Sequence, residues 1–291
     1  MIASTQPNSC YPPMSRILVI DGNPAAIRAS HVALGGTDSG DGYAATLKGL
    51  APGIDTDVVR PADGEPKLPD GVALHDYDGA VITGSALNIY ERTPSVERQI
   101  DLAKAVFAAG VPCFGSCWGL QVGVTAAGGN VIRNPRGREF GFARRIALND
   151  EGRHHAMFEG KPDVFEAVTV HIDIVDSLPG NATALAHNDM GLQAVEIRFP
   201  RGGSFWGVQY HPEYSVAEVA AMARRYAEVL LRDGLVKGQA ELDALIADLE
   251  DFDAHPTDAR LAWRFGVGTA IADQRIKLAE ISNWLERKVL G

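Results

Sequence analysis

Three cysteines in 291 residues, Cys10, Cys113 and Cys117, are too few for a disulfide framework. None belongs to a CxxC pair or to a Cys/His array with zinc spacing, so no structural zinc is indicated. No run of about 18 apolar residues occurs, which argues against a membrane-spanning helix. The opening MIASTQPNSCYPPMS lacks the basic start and apolar stretch of a secretory signal, and residues 1–15 read as a flexible arm. Positive charge is also scarce: 27 Lys and Arg stand against 37 Asp and Glu, a net charge of −10. A surface of that sign repels phosphate backbones and anionic lipid heads, which disfavours nucleic-acid and membrane partners. A reducing, cytoplasmic setting is expected, and nothing in the pattern calls for a cofactor or a metal.

What is present is ordinary globular material, 46% apolar and 22% charged, enough to build a core. Short apolar runs alternate with helical stretches. Strands are expected over 16–21, 57–60, 79–83 and 111–115, and helices over 42–50, 94–109 and 117–127. After Gly129 the texture changes to strand candidates at 142–149, 164–171, 192–198 and 204–210, with no long helix between them. A helix is expected from Ser215 to Leu235. Beyond it, Leu242, Leu245, Ile246, Leu249 and Phe252 form one helical stripe, and Ile271, Leu278, Ile281 and Leu285 another. The expected plan is α/β: a mostly parallel central sheet flanked by helices with an added antiparallel section, over residues 16–235. A helical C-terminal extension, 236–291, follows.

The strongest chemical signal is Gly115-Ser116-Cys117-Trp118-Gly119, where a buried strand runs into a helix. Gly-x-Cys-x-Gly at such a turn is a nucleophile elbow carrying a thiol. The glycines let neighbouring backbone pass close, and the helix N-terminus favours the thiolate. The bland alternative is a small buried cysteine, which is how Cys113 reads. The second signal is Gly207-Val208-Gln209-Tyr210-His211-Pro212-Glu213. Pro212 keeps the chain extended, so His211 and Glu213 project to one side as a base and its orienting carboxylate. Alone, that tripeptide reads more readily as a surface turn.

Together the two segments resemble the class I glutamine amidotransferase family, whose patterns G-x-C-x-G-x-Q and G-x-Q-x-H-P-E are complete here through Gln121 and Glu213. Ile82-Thr83-Gly84-Ser85, Asn134 to Gly141 and Val170-His171-Ile172-Asp173 look like further landmarks of that family. The likeness spans about 16–235 and looks greatest to the stand-alone branch related to the glutaminase part of GMP synthase. It implies the flavodoxin-like class I glutaminase fold. It also implies Cys117 as nucleophile, His211 as general base and then acid, and Glu213 as orienter. Backbone N–H groups of Ser85 and Trp118 would form the oxyanion hole; Gly84, Gln121 and His171 would help bind substrate. Two departures stand out. Gly84-Ser85-Ala86 replaces the common Gly-Gly-Pro, and Ile172 sits where relatives often have glycine, which weakens an inference of strict glutamine specificity.

Other features are discounted. The glycine-rich 35–42 lacks the Gly-Lys-Ser/Thr ending of a P-loop and reads as a mobile loop at the mouth of the site. His154-His155 reads as a solvated turn, and Asp248, Glu250, Asp251 and Asp253 as the exposed end of a helix. The tail stripes are expected to pack on the chain's own core. The function ranked first is glutamine hydrolysis with ammonia passed to a separate synthase or ligase partner. A stand-alone hydrolase of γ-glutamyl amides comes second and a non-catalytic regulatory subunit third. Self-association is left open.

Overall fold

The computed structural model describes residues 15–200 and 202–291. The arm expected over 1–15, and Cys10 with it, falls outside them apart from Ser15. The chain begins β1 (Arg16–Ile20), α1 (Ala25–Ala33), α2 (Ser39–Leu50), β2 (Asp55–Val59), β3 (Gly79–Ile82), α3 (Pro94–Ala108), β4 (Cys113–Ser116) and α4 (Trp118–Ala126). It continues β5 (Asn130–Arg133), β6 (Glu139–Leu148), α5 (Asp150–Arg153), β7 (Val164–His171), β8 (Asp173–Ser177), β9 (Ala182–Asn188), β10 (Gly191–Arg198) and β11 (Ser204–Val208). Helices then follow without further strands: α6 (Val216–Arg225), α7 (Ala227–Arg232), α8 (Gln239–Ala254), α9 (Ala259–Phe265), α10 (Thr269–Ala272), α11 (Gln274–Lys277) and α12 (Ala279–Trp284).

Nine strands form one sheet in the order β2-β1-β3-β4-β11-β10-β9-β6-β7, and β5 pairs with β8 apart from it. The first five are mutually parallel and the rest antiparallel. The fold is thus the mostly parallel sheet with an antiparallel section that the sequence predicts. The strand expected at 204–210 changes sides: β11 lies parallel to β4 and antiparallel to β10, so it joins the two sections. β5, β8, β9 and α1 carry too weak an apolar period to announce themselves. In α1 only His31 is buried.

Alternation along the central strands divides the core. Ile17, Val19, Val81 and Phe114 enter the cluster on one face, whereas Leu18, Ile20, Ala80, Ile82 and Cys113 enter the other. α3 and α4 cover the second face. The first is covered by α2 and, from the C-terminal end of the chain, by Ile281, Trp284 and Leu285. A third cluster joins Leu242, Leu249 and Phe252 of α8 to α6 and to Val168 and Val170 of β7. The tail therefore packs on the chain's own core as expected. Its second stripe, however, runs from α10 across α12 into the π-helical turn Leu285–Val289 rather than along one helix. The helix expected over 215–235 breaks at Tyr226 into α6 and α7.

The segment 35–42 is half helical: Asp38 caps α2 by accepting from the Gly40 and Asp41 N–H groups, so the expected loop ends at Asp38. His155 is not a solvated turn residue, since its ring packs against Trp206 and its Nε2 lies 3.3 Å from Glu196. Nor is the acidic cluster of α8 merely a solvated face. Glu250 pairs with Arg224, Asp248 with Arg264 and Asp251 with Arg260, and Asp253 accepts the Ala217 N–H at 2.9 Å. Among the described residues no helix is long and apolar enough to cross a membrane.

Candidate active site

β4 ends at Ser116 and α4 starts at Trp118, leaving Cys117 between them at φ 53° and ψ −102°. A side chain in that region costs roughly 1–3 kcal/mol and persists only where its surroundings enforce it. Here the enforcement is packing. A Cβ on Gly115 would lie 2.5 Å from the Gly119 carbonyl carbon, and one on Gly119 would lie 2.2 Å from the Ile82 oxygen. Only glycine at both places lets the elbow close onto β3. The Cys117 N–H donates to Val208 O at 2.8 Å, which ties the elbow to β11, and Sγ lies 3.7 Å from Val170 O. Cys113, four residues earlier, is sealed in the opposite face, and burial pushes its thiol far above the usual range.

The second half of the site follows β11. His211 donates its backbone N–H to Val168 O at 2.8 Å, and its Nδ1 meets Glu213 Oε1 at 2.8 Å. Tyr214 stacks flat on the imidazole, with ring centroids 4.0 Å apart and planes within 3°. At the Cε1 edge of the ring the 84–85 loop presses close, because a Cβ on Gly84 would lie 2.5 Å from His211 Cε1. Burial disfavours the imidazolium. The carboxylate of Glu213, hydrogen-bonded to the ring, and the nearby sulfur of Cys117 outweigh it and hold the His211 pKa up to about 10.

Two residues of the C-terminal extension clamp this segment from behind. Lys277 Nζ donates to Tyr214 O at 3.0 Å. Glu280 accepts from the Tyr210 hydroxyl and lies 2.5 Å from Lys161 Nζ, with both charged side chains buried.

In front of Cys117 opens a cleft of about 230 Å³, lined also by Ser85, Gln121, His171, Asp173, Arg133 and Arg138. Gln121 Nε2 donates to Asp173 O at 3.3 Å. Both ring nitrogens of His171 are engaged, Nδ1 with Asp173 O at 3.0 Å and Nε2 with Glu139 Oε2 at 2.9 Å. Any contact of this residue with a ligand therefore runs through its backbone. The Asp173 pKa is raised to about 6 by burial, against the hydroxyl of Tyr90 and the charges of Arg133, His171 and Arg138. Trp118 turns its indole away to Gln99, 2.7 Å from Nε1. Among the described residues, no hydrogen bond occupies the N–H of Trp118 or of Ser85.

The structure thus brings Cys117, His211 and Glu213 together, with Ser85, Gln121 and the His171 backbone around the thiol and Gly84 against the imidazole. Sequence reasoning passed over Tyr214, although it directly follows the His-Pro-Glu segment, and over Asp173, the last residue of a quoted landmark. Lys277 and Glu280 carry no local signal at all.

A family model described as "Glutamine amidotransferase class-I" matches residues 38–225, more than half of the chain. A γ-glutamyl-L-1-hydroxyisopropylamide hydrolase of a Pseudomonas species is 37% identical over 280 residues, 94% of this chain and 93% of its own. A glutamine-hydrolysing GMP synthase of Streptomyces avermitilis is 35% identical over 135 residues, 46% of this chain and 23% of its own; the chain therefore matches under a quarter of that relative. γ-Glutamyl peptidase 5 of Arabidopsis thaliana is 31% identical over 160 residues, 55% of this chain and 62% of its own. The crystal structure of a glutamine amidotransferase from Thermotoga maritima superposes with a TM-score of 0.66 at 18% identity, covering 96% of this chain and 99% of that one. The last is a likeness of fold.

Proposed function

Since this chain belongs to the class-I glutamine amidotransferase family, and is an amidohydrolase of that family, we propose that it acts as a stand-alone hydrolase of γ-glutamyl amides. The observation that carries this reading is the end-to-end similarity to the Pseudomonas amide hydrolase, which takes in the C-terminal extension. The GMP synthase matches, by contrast, stop at a part of each chain. The order of preference drawn from sequence is therefore reversed: delivery of ammonia to a synthase partner becomes the second reading.

On this proposal residues 16–235 carry the reacting groups and 236–291 hold them. Cys117 Sγ attacks the γ-carbonyl carbon of the amide, and the oxyanion settles between the Ser85 and Trp118 N–H groups. Such donors are typically worth about 3–4 kcal/mol in the transition state. The C–N bond then breaks as His211, charged beside Glu213, protonates the departing amine. Water, deprotonated by His211, attacks the thioester and releases the γ-carboxylate as Cys117 is restored. Asp173 and Arg133, both lining the cleft, supply the charges of opposite sign that an α-ammonium and an α-carboxylate require.

A substrate panel tests the proposal: release of amines from γ-glutamyl amides against release of ammonia from free glutamine, by the isolated chain. Faster turnover of glutamine than of every amide would overturn it.

A further inference from the structure

The loop after β3 meets two demands that conflict. His211 comes so close that residue 84 must lack a Cβ. A glycine there leaves the peptide joining Gly84 to Ser85 free to rotate, and its two sides have opposite chemistry. The Gly84 carbonyl and the Ser85 N–H belong to one trans unit and point in opposite directions. Rotated one way, the unit turns an N–H donor towards the thiol; rotated the other way, it turns a carbonyl oxygen there, which repels an oxyanion.

Two buried side chains act on that carbonyl. Thr83 Oγ1 accepts the Gly22 N–H at 3.0 Å, so its single proton goes to Gly84 O, also at 3.0 Å. Asn23 Nδ2 donates to the same oxygen at 3.3 Å, while Asn23 Oδ1 accepts the Ala86 N–H at 3.0 Å. The amide orientation of Asn23 is fixed by this pair, since an N–H must meet the oxygen and a carbonyl the nitrogen. Asn23 is held in turn by Ser39 Oγ at 2.8 Å from Nδ2 and by Asp21 Oδ1 at 3.0 Å from its own N–H. It is 6% exposed, and Thr83 1%. Rotating the peptide would strand a buried amide proton and a buried hydroxyl without acceptors.

We infer that Asn23, assisted by Thr83, is a positioning residue that locks the 84–85 peptide with its carbonyl on the Asn23 side and the Ser85 N–H turned towards Cys117. The inference rests on the acyl-transfer reading above. Nothing in it requires contact between Asn23 and substrate.

The test uses the full chain and three measurements on each variant. Turnover of γ-glutamyl-p-nitroanilide gives kcat and KM. Alkylation of Cys117 by iodoacetamide reports the thiol without an oxyanion. Protection of Cys117 from that alkylation by acetaldehyde reports the hole, because the thiol adds to the carbonyl and the former carbonyl oxygen occupies it, with no γ-glutamyl recognition needed. Asn23→Asp keeps the acceptor for Ala86 N–H but removes the donor to Gly84 O. It and Asn23→Ala should lower kcat roughly 10- to 100-fold, below the full cost of losing an oxyanion donor, with KM within about twofold of wild type. Both should need about tenfold more acetaldehyde for protection, and the alkylation rate should not move. Thr83→Val should follow them in part, and Thr83→Ser should retain wild-type behaviour. Unchanged kcat and acetaldehyde protection in Asn23→Asp would overturn the latch. If the Asn23 variants do not fold, equal behaviour of Thr83→Val and Thr83→Ser overturns it. A wild type that hydrolyses no γ-glutamyl amide removes the substrate reading alone, since the acetaldehyde comparison still decides the latch.

Discussion

Cys117 stands at the end of β4 and His211 just beyond the end of β11, and these neighbours pair Gly115 with Gly207 and Ser116 with Val208. The two halves of the site are nevertheless held by different means. The thiol is held by backbone: a positive φ, two glycines that admit the Ile82 carbonyl and the first turn of α4, and one N–H to Val208. The imidazole is held by side chains: Glu213 on one nitrogen, Tyr214 on one face, and Lys277 and Glu280 gripping the flanking residues from the far end of the chain. A backbone device tolerates almost no change of shape. A side-chain device can be weakened one contact at a time, which makes the contrast measurable.

The largest effect belongs to the backbone half. Cys117→Ala should reduce turnover to background while the fold persists. Cys117→Gly should be equally inactive yet melt higher than Cys117→Ala, because glycine releases about 1–3 kcal/mol of strain at φ 53°. Equal melting temperatures would show that the elbow is not strained. Next comes Gly119→Ala, whose Cβ would fall 2.2 Å from the Ile82 oxygen. It should lose about 3 kcal/mol or more in urea unfolding, with activity falling alongside. An unimpaired variant would mean that the close approach is dispensable.

On the side-chain half, Glu280→Gln leaves the buried Lys161 ammonium without its counter-charge and should cost about 3 kcal/mol of stability. Lys161→Met combined with Glu280→Leu should recover part of that loss. A double variant worse than either single one would refute the charge explanation. Glu213→Gln should keep the fold and lower kcat roughly 100-fold, as a weakened base does. It should also bring the His211 pKa down from about 10 towards or below the ordinary ~6.5, read from imidazole NMR titration. The sign for stability follows from the raised value. His211 gains its full stabilisation below pH ~6.5 and loses it as pH rises through about 10, so the wild type should be weakened by alkali more than Glu213→Gln is. An unshifted imidazole titration would remove Glu213 as its cause. The smallest effect is expected for Cys113→Ala: a modest loss of stability from an inert thiol, and an unchanged kcat.

Legibility in the sequence divides along the same line. Gly115, Cys117 and Gly119 lie within five residues, and so do Gln209, His211 and Glu213, so each half announces its chemistry through local spacing. The parallel strands β1, β3 and β4 are likewise readable, because strands buried on both faces are uniformly apolar. β5, β8 and β9 are not readable, being half-exposed pieces whose alternation is too weak. That β11 also lies parallel to β4 is not readable, because pairing direction depends on which strand lies beside it. Asn23 and Thr83 are sixty residues apart, and neither chain neighbourhood suggests that they converge on one carbonyl.

By itself the sequence determined the elbow, the His-Pro-Glu segment, the alternating strands and the family these imply, because each is a matter of residue type at short range. Tertiary structure alone decided that the last fifty residues brace the imidazole and that Asn23 holds the loop facing the thiol. Those are properties of buried charges and hydrogen bonds, whose strength and partners exist only once the sheet has brought distant segments together and excluded water.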